Sequence, residues 1–90
     1  MTVAVRKFKV EVLRTPVLRL QYEVFDPERF APVTRTVMAA LPGLTLTEPT
    51  YGPKGGFLYA DLRDGAGTLV YAFGNSEQAV YDAVKAALST

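Results

Sequence analysis

Two runs of strict alternation constrain this chain more than any other feature. From Val5 to Leu13, apolar Phe8, Val10 and Val12 alternate with Lys7, Lys9 and Glu11. After Arg14-Thr15-Pro16 the pattern resumes, with Leu18, Leu20, Tyr22 and Val24 set against Arg19, Gln21 and Glu23. A repeat of two belongs to a strand with one face buried and the other in water. The two runs predict a hairpin, and keeping the faces clean restricts its turn. A two-residue Thr15-Pro16 loop pairs Val12 with Arg19 and mixes the faces. An odd-numbered loop, or a bulge, pairs Val12 with Leu18 or Leu20 and keeps them apart. The odd loop is expected.

Beyond Phe25 the signals change. Asp26-Pro27-Glu28 reads as a helix start: an N-cap acceptor, a proline at the first helical position and an acid in the first turn. Phe30, Val33, Val37, Met38 and Leu41 follow at helical spacing, and Pro42-Gly43 ends the segment. Pro32 is poorly placed inside a helix, so the regular part is expected to start near it. Leu44 to Thr47 reads as a strand running into Pro49, which suits a sheet edge. Phe57 to Arg63 and Thr68 to Phe73 flank Asp64-Gly65-Ala66-Gly67, a hairpin signal. A two- or four-residue loop there puts Leu58, Ala60 and Leu62 on one face with Leu69, Tyr71 and Phe73. Asn75 or Ser76 should cap a last helix, Glu77 to Leu88, with Val80, Val84, Ala87 and Leu88 as its apolar stripe.

The expected order is therefore ββαβββα. It describes a single α+β domain over residues 1–90, a two-layer sandwich. A five-stranded, antiparallel-rich sheet in the order 2-1-5-4-3 carries both helices on one face. In element order alone this resembles the profilin-like or roadblock sheet, without the roadblock's leading helix, and a shared topology carries no function.

Composition removes several kinds of chemistry. The 90 residues are 49% hydrophobic and 11% aromatic, a folding composition rather than a disordered one. There is no cysteine and no histidine. Disulfide scaffolds and thiolate metal sites are thereby excluded, and the commonest acid–base group and metal ligand is missing. No cofactor, no metal and no catalytic residue is expected. Isoleucine is absent, and alanine and valine number eleven each, a bias that fits a GC-rich bacterial or phage genome or a thermophile. No apolar run approaches the roughly 18 residues that span a bilayer, and no signal-peptide core develops after Met1 to Arg6. A cytoplasmic protein without a membrane partner is expected.

Four constellations compete for function. Residues 1–35 carry seven basic against four acidic side chains, a balance of +3, and residues 36–90 three against five, a balance of −2. The basic hairpin, with Lys7, Lys9 and Arg19, could touch phosphates while Phe57 or Tyr59 stacks on bases. Glu11, Glu23 and Asp61 share that face, however, so nucleic acid ranks second. The segment from Tyr51 to Phe57 holds Lys54, Gly55 and Gly56, whose amides could converge on an anion, but Lys-Gly-Gly opens a strand and not the helix a phosphate loop requires. Tyr59, Asp61, Arg63 and Asp64 could do acid–base work only in a cleft, which nothing in their spacing demands. The preferred expectation is a non-enzymatic protein-interaction or regulatory module, and a homodimer. Its interface is an open sheet face carrying Phe57, Tyr59, Lys7, Lys9 and Arg19, or the edge of the Val17 to Phe25 strand, which has no proline to block pairing.

Overall fold

The alternating runs do become strands. In the computed structural model, which describes residues 6–89, β1 (Arg6–Leu13) and β2 (Val17–Asp26) pair antiparallel. Val12 faces Leu18 and Leu13 faces Val17, so the turn has the expected odd length of three residues. Residues 1–5, including the start of the expected first strand and the region read as lacking a signal-peptide core, lie outside the described residues.

The expected first helix is a strand. Residues Ala31–Ala40 form β3, paired with all ten residues of β2 from Asp26↔Ala31 to Val17↔Ala40. The misreading has a definite cause. Val33 and Val37 are four apart, a spacing that satisfies a helical stripe and a strand face equally. Phe30 and Met38, which only the helical reading places inside, are exposed. The segment's Val33, Thr34, Thr36 and Val37 are β-branched and stiff at χ1, which favours the extended chain beside a long partner strand. Pro32, awkward in a helix, is tolerable here because β3 is the edge of its sheet. Asp26 caps no helix: its Oδ1 accepts the Glu28 N–H at 2.9 Å inside a four-residue hairpin loop.

The rest of the chain builds a second sheet. The strands β4 (Thr45–Leu46), β5 (Thr50–Tyr51) and β7 (Leu69–Phe73) all pair antiparallel with β6 (Phe57–Arg63). A single helix, α1 (Gln78–Leu88), follows. The architecture is therefore mostly β: a three-stranded sheet in the order β1-β2-β3, a four-stranded sheet around β6, and one helix. This replaces the single five-stranded sheet, the two helices, the 2-1-5-4-3 order and the likeness to the roadblock sheet. β2 lies in the middle of its sheet, so the Val17 to Phe25 edge is not available for pairing.

Two glycine turns share one geometry. The Asp64 N–H donates to the Thr68 carbonyl at 3.0 Å and the Gly67 N–H to the Asp64 carbonyl at 2.9 Å. Around Lys54, the Gly52 N–H donates to the Gly56 carbonyl at 2.7 Å and the Gly55 N–H to the Gly52 carbonyl at 2.9 Å. Each is a three-residue loop whose last residue, Gly67 (φ +81°) or Gly55 (φ +83°), takes the left-handed conformation. The loop after Asp64 is thus neither two nor four residues long. A bulge between Leu62 and Arg63 makes up the odd residue, so Ala60 still faces Phe73 and Leu62 faces Tyr71.

The core lies where the two sheets and the helix meet. Leu18 and Leu20 of β2, Ala60 and Leu62 of β6, Phe73 of β7, and Val80, Tyr81 and Val84 of α1 are buried together with Phe57. Phe73 packs edge-on against Tyr81 at 5.6 Å and against Tyr71 at 4.9 Å, and Tyr71 meets Tyr22 of the other sheet at 5.6 Å. The helix is not capped by Asn75 or Ser76. Glu77 holds the N-cap position, and its carboxylate turns back to accept the Gly74 N–H and the Tyr71 hydroxyl, each at 2.8 Å. That contact, together with burial, raises the Tyr71 phenol's pKa well above its ordinary value, the larger part coming from burial.

Candidate interaction site

The expected interface residues do not share one surface. Lys9, Glu11 and Arg19 lie on the outer face of the first sheet, where Arg19 Nη2 donates to Glu11 and Lys9 Nζ lies 3.6 Å from the same carboxylate. Both cations are therefore engaged by Glu11, whose pKa is lowered chiefly by the Arg19 hydrogen bond. Lys7 is exposed at the bulge in β1, with φ +51°. Tyr59 belongs to the other sheet. Phe57 is not exposed at all: it is 6% accessible and packs on Tyr81 at 5.4 Å. A register shift between Thr50 and Tyr51 leaves Leu58 and Tyr59 both outside and turns Phe57 inward, which a strictly alternating strand could not do. In the glycine turn, the Gly52 and Gly55 amides are bonded within the turn itself, leaving Lys54 and Gly56 on an exposed tip.

Tyr59, Asp61 and Arg63 do come together along one face of β6. The Tyr59 hydroxyl donates to Asp61 Oδ2 at 2.9 Å, and Arg63 donates to both carboxylate oxygens, from Nε at 3.2 Å and Nη2 at 3.3 Å. Asp61 is buried, and Thr47 brackets its backbone, its hydroxyl accepting the Asp61 N–H at 2.8 Å and its N–H donating to the Asp61 carbonyl at 2.9 Å. The Tyr59 hydrogen bond, followed by Arg63, keeps the carboxylate pKa below its ordinary value against the opposing effect of burial, and the same bond raises Tyr59. An anion satisfied on both oxygens and held ionised is a poor proton carrier near neutral pH. Its effect is to brace the sheet.

The residues that stand out are at the tip of the β2–β3 hairpin. Among the described residues, β1 pairs with β2 as far as Glu23, and from Val24 onward the neighbour of β2 is β3. The loop closes with Phe30 at φ +56°, a left-handed conformation that a bulky non-glycine residue rarely adopts. Phe30 is 84% exposed and touches Phe25, itself 48% exposed, edge-on at 5.6 Å. Beside them Asp26, Arg29, Val33, Thr34 and Arg35 line an open hollow of about 180 Å³, with Arg29 Nε 3.8 Å from Asp26 Oδ2. Pockets that enclose small ligands usually run to about 300–1,000 Å³, so the hollow suits a side chain of a partner better than a free metabolite.

Reading the segment as a helix conceals this tip. Phe30 then looks like the first residue of an apolar stripe and Asp26 like a cap. The alternative signal was present: the alternation of β2, extended through a four-residue loop, predicts a partner strand in which Val33 and Val37 share a face.

Among the described residues no group of three or more His, Cys, Asp or Glu side chains could hold a metal, and no helix is long and apolar enough to cross a membrane. No family model, no curated protein and no solved structure matches the chain, so what the hairpin tip does follows from its own chemistry.

Proposed function

We propose that the protein is a small, non-enzymatic, cytoplasmic protein-interaction module whose contact element is the tip of the β2–β3 hairpin. The observation that supports this is Phe30: a large aromatic side chain in a strained backbone conformation, held out in water against a second exposed phenylalanine. Left-handed backbone at a bulky residue costs on the order of 1–3 kcal/mol, and residues held that way cluster at contact sites. Aromatic side chains are also the usual anchors of protein interfaces. The charge at the tip favours a protein over a nucleic acid. Residues 23–35 hold Glu23, Asp26 and Glu28 against Arg29 and Arg35, a balance of −1, which does not attract phosphates. The basic pair expected to do so, Lys9 and Arg19, shares one glutamate.

The test is site-specific photo-cross-linking. Benzoyl-phenylalanine placed at position 30 should yield a discrete protein adduct in the producing cells, and adding Phe25→Ser should abolish it. Adducts from a control at exposed Thr68 but none from position 30 would overturn the assignment of the tip.

A further inference from the structure

The outer face of the first sheet is patterned to meet its own copy. Along this face, residues of β2 sit in rows with their partners: Leu13, Val17 and Ala40 in one row, then Glu11, Arg19 and Met38. The next rows are Lys9, Gln21 and Thr36, then the Arg6 position, Glu23 and Thr34, then Phe25 beside Pro32. The face is thus apolar at the Val17 end, charged in the middle and aromatic at the Phe25 end. We propose that two copies stack this face on itself about a two-fold axis perpendicular to the strands and level with Gln21.

This proposal rests on the reading of the hairpin tip as the contact element and names its partner. With strands antiparallel across the axis, the position facing residue i of β2 is residue 42 minus i of the other copy. Phe25 then covers Val17, and Arg19 faces Glu23, from both directions at once. Such reciprocity is what an isologous interface requires, and opposite charges placed this way set its register. The chemistry fits. Met38 is 56% exposed beside the row that Phe25 and Phe30 would cover. Arg19 has guanidinium N–H donors beyond the Nη2 that Glu11 engages, although its Nε is buried and out of reach of a second copy. Among the described side chains of these rows the like-charged meeting is Lys9 with Lys9, and that side chain is 67% exposed and already beside Glu11, so it can turn aside.

Size sets the strength. Three strands about 4.8 Å apart and nine residues long at about 3.3 Å each give a footprint of roughly 430 Å² per copy. That is about half the area a standard interface takes from each partner, so the dimer is a weak one, dissociating in the micromolar range or above.

The absence of native cysteine makes the geometry directly testable. Stacked sheets lie about 10 Å apart, beyond the roughly 7 Å Cα separation a disulfide tolerates, so a short bis-maleimide is the probe. With Gln21→Cys, close to the axis, it should join two chains efficiently, and with Thr68→Cys, in the exposed turn before β7, it should not. Light scattering on the unaltered protein should give a mass rising from monomer to dimer between about ten and several hundred micromolar, spanning the weak affinity that the small footprint implies. Phe25→Ser with Met38→Ser, both at exposed positions, should weaken association at least tenfold with an unchanged melting temperature. A monomer mass throughout that range overturns self-association and leaves the tip free for a foreign protein, which the position-30 adduct would reveal. A dimer that cross-links through Thr68→Cys but not Gln21→Cys overturns the stacked geometry.

Discussion

Two aromatic pairs in this protein have nearly the same geometry and opposite surroundings. Phe73 and Tyr81 meet edge-on at 5.6 Å with both rings buried, and Phe25 and Phe30 meet edge-on at 5.6 Å in water. The ring-to-ring attraction is worth about 0.5–1.5 kcal/mol in either place. The difference lies in what surrounds the rings: removal of apolar surface from water stabilises the first pair, while the second leaves that surface available. An aromatic contact alone does not mark a core.

The largest effect should come from emptying the first pair. Phe73→Ala removes a fully buried side chain from between Tyr71 and Tyr81 and should cost about 3–5 kcal/mol, read from urea unfolding. Phe30→Ala should change the midpoint little. Equal losses would show that the hairpin tip is part of the cooperative core and would remove the contrast.

Glycine positions sharpen the same distinction between packed and open regions. Gly43 has φ +87°, and a Cβ there would lie 3.0 Å from the Cα of Gly65, backbone against backbone. Gly55 has nearly the same φ but open space around it. Gly55→Ala should therefore cost about 1–2 kcal/mol for the left-handed conformation alone, and Gly43→Ala clearly more, both measured by thermal melting. Similar losses would mean that the two loops at Gly43 and Gly65 move apart easily.

The pH dependence tests the bracing of β6. Asp61 is held below its ordinary pKa by Tyr59 and Arg63, so folding favours its charged form. That stabilisation is complete above the unfolded value, near pH 4, and is lost as pH falls through the lower folded value. Glu11, lowered chiefly by Arg19, acts in the same window. Asp61→Asn should lower stability at neutral pH and flatten the acid limb of a plot of urea midpoint against pH. An acid limb as steep as in the parent would assign the dependence to other carboxylates.

The smallest effect is expected at Phe30→Gly. Glycine relieves the left-handed strain but loses the Phe25 contact and loosens the unfolded chain, so stability should stay within about 1 kcal/mol of the parent. Partner adducts from benzoyl-phenylalanine placed instead at neighbouring, exposed Arg29 should nonetheless disappear. A large destabilisation would mean that Phe30 supports the hairpin rather than presenting a contact.

How much of this could be read from the residues depended on how local the signal was. The odd turn after Leu13 was legible because only one parity keeps Val12 with Leu18 and charged side chains with charged. Ala60, Leu62, Tyr71 and Phe73 share a face as expected, although a bulge rather than the loop length produced it, and Leu58 and Leu69, expected on the same face, are exposed. Leu20 and Val84 were recognisable as core from periodicity, and both are fully buried. Tyr81, buried one residue beyond Val80, lies outside the stripe that periodicity picked, and nothing in the sequence marks the cavity that Phe57 and Phe73 make for it.

By itself, then, the sequence determined what is periodic or compositional: two hairpins, the faces of the first, the final helix, and the lack of thiol and imidazole chemistry. Three things were decided only by the tertiary structure. Residues 31–40 became a strand because a ten-residue partner was available to pair with every one of them, and a spacing of four cannot choose between helix and strand. Phe57 turned inward because a bulge shifted β6 against β5, and bulges are placed by the neighbouring strand. Phe30 stayed outside because the loop needed a left-handed residue where the sequence supplies phenylalanine. In the first two cases long-range pairing outweighed a local preference worth less than about 1 kcal/mol per residue, and at Phe30 closure of the hairpin outweighed a backbone cost of about 1–3 kcal/mol, which is why local pattern alone could not foresee them.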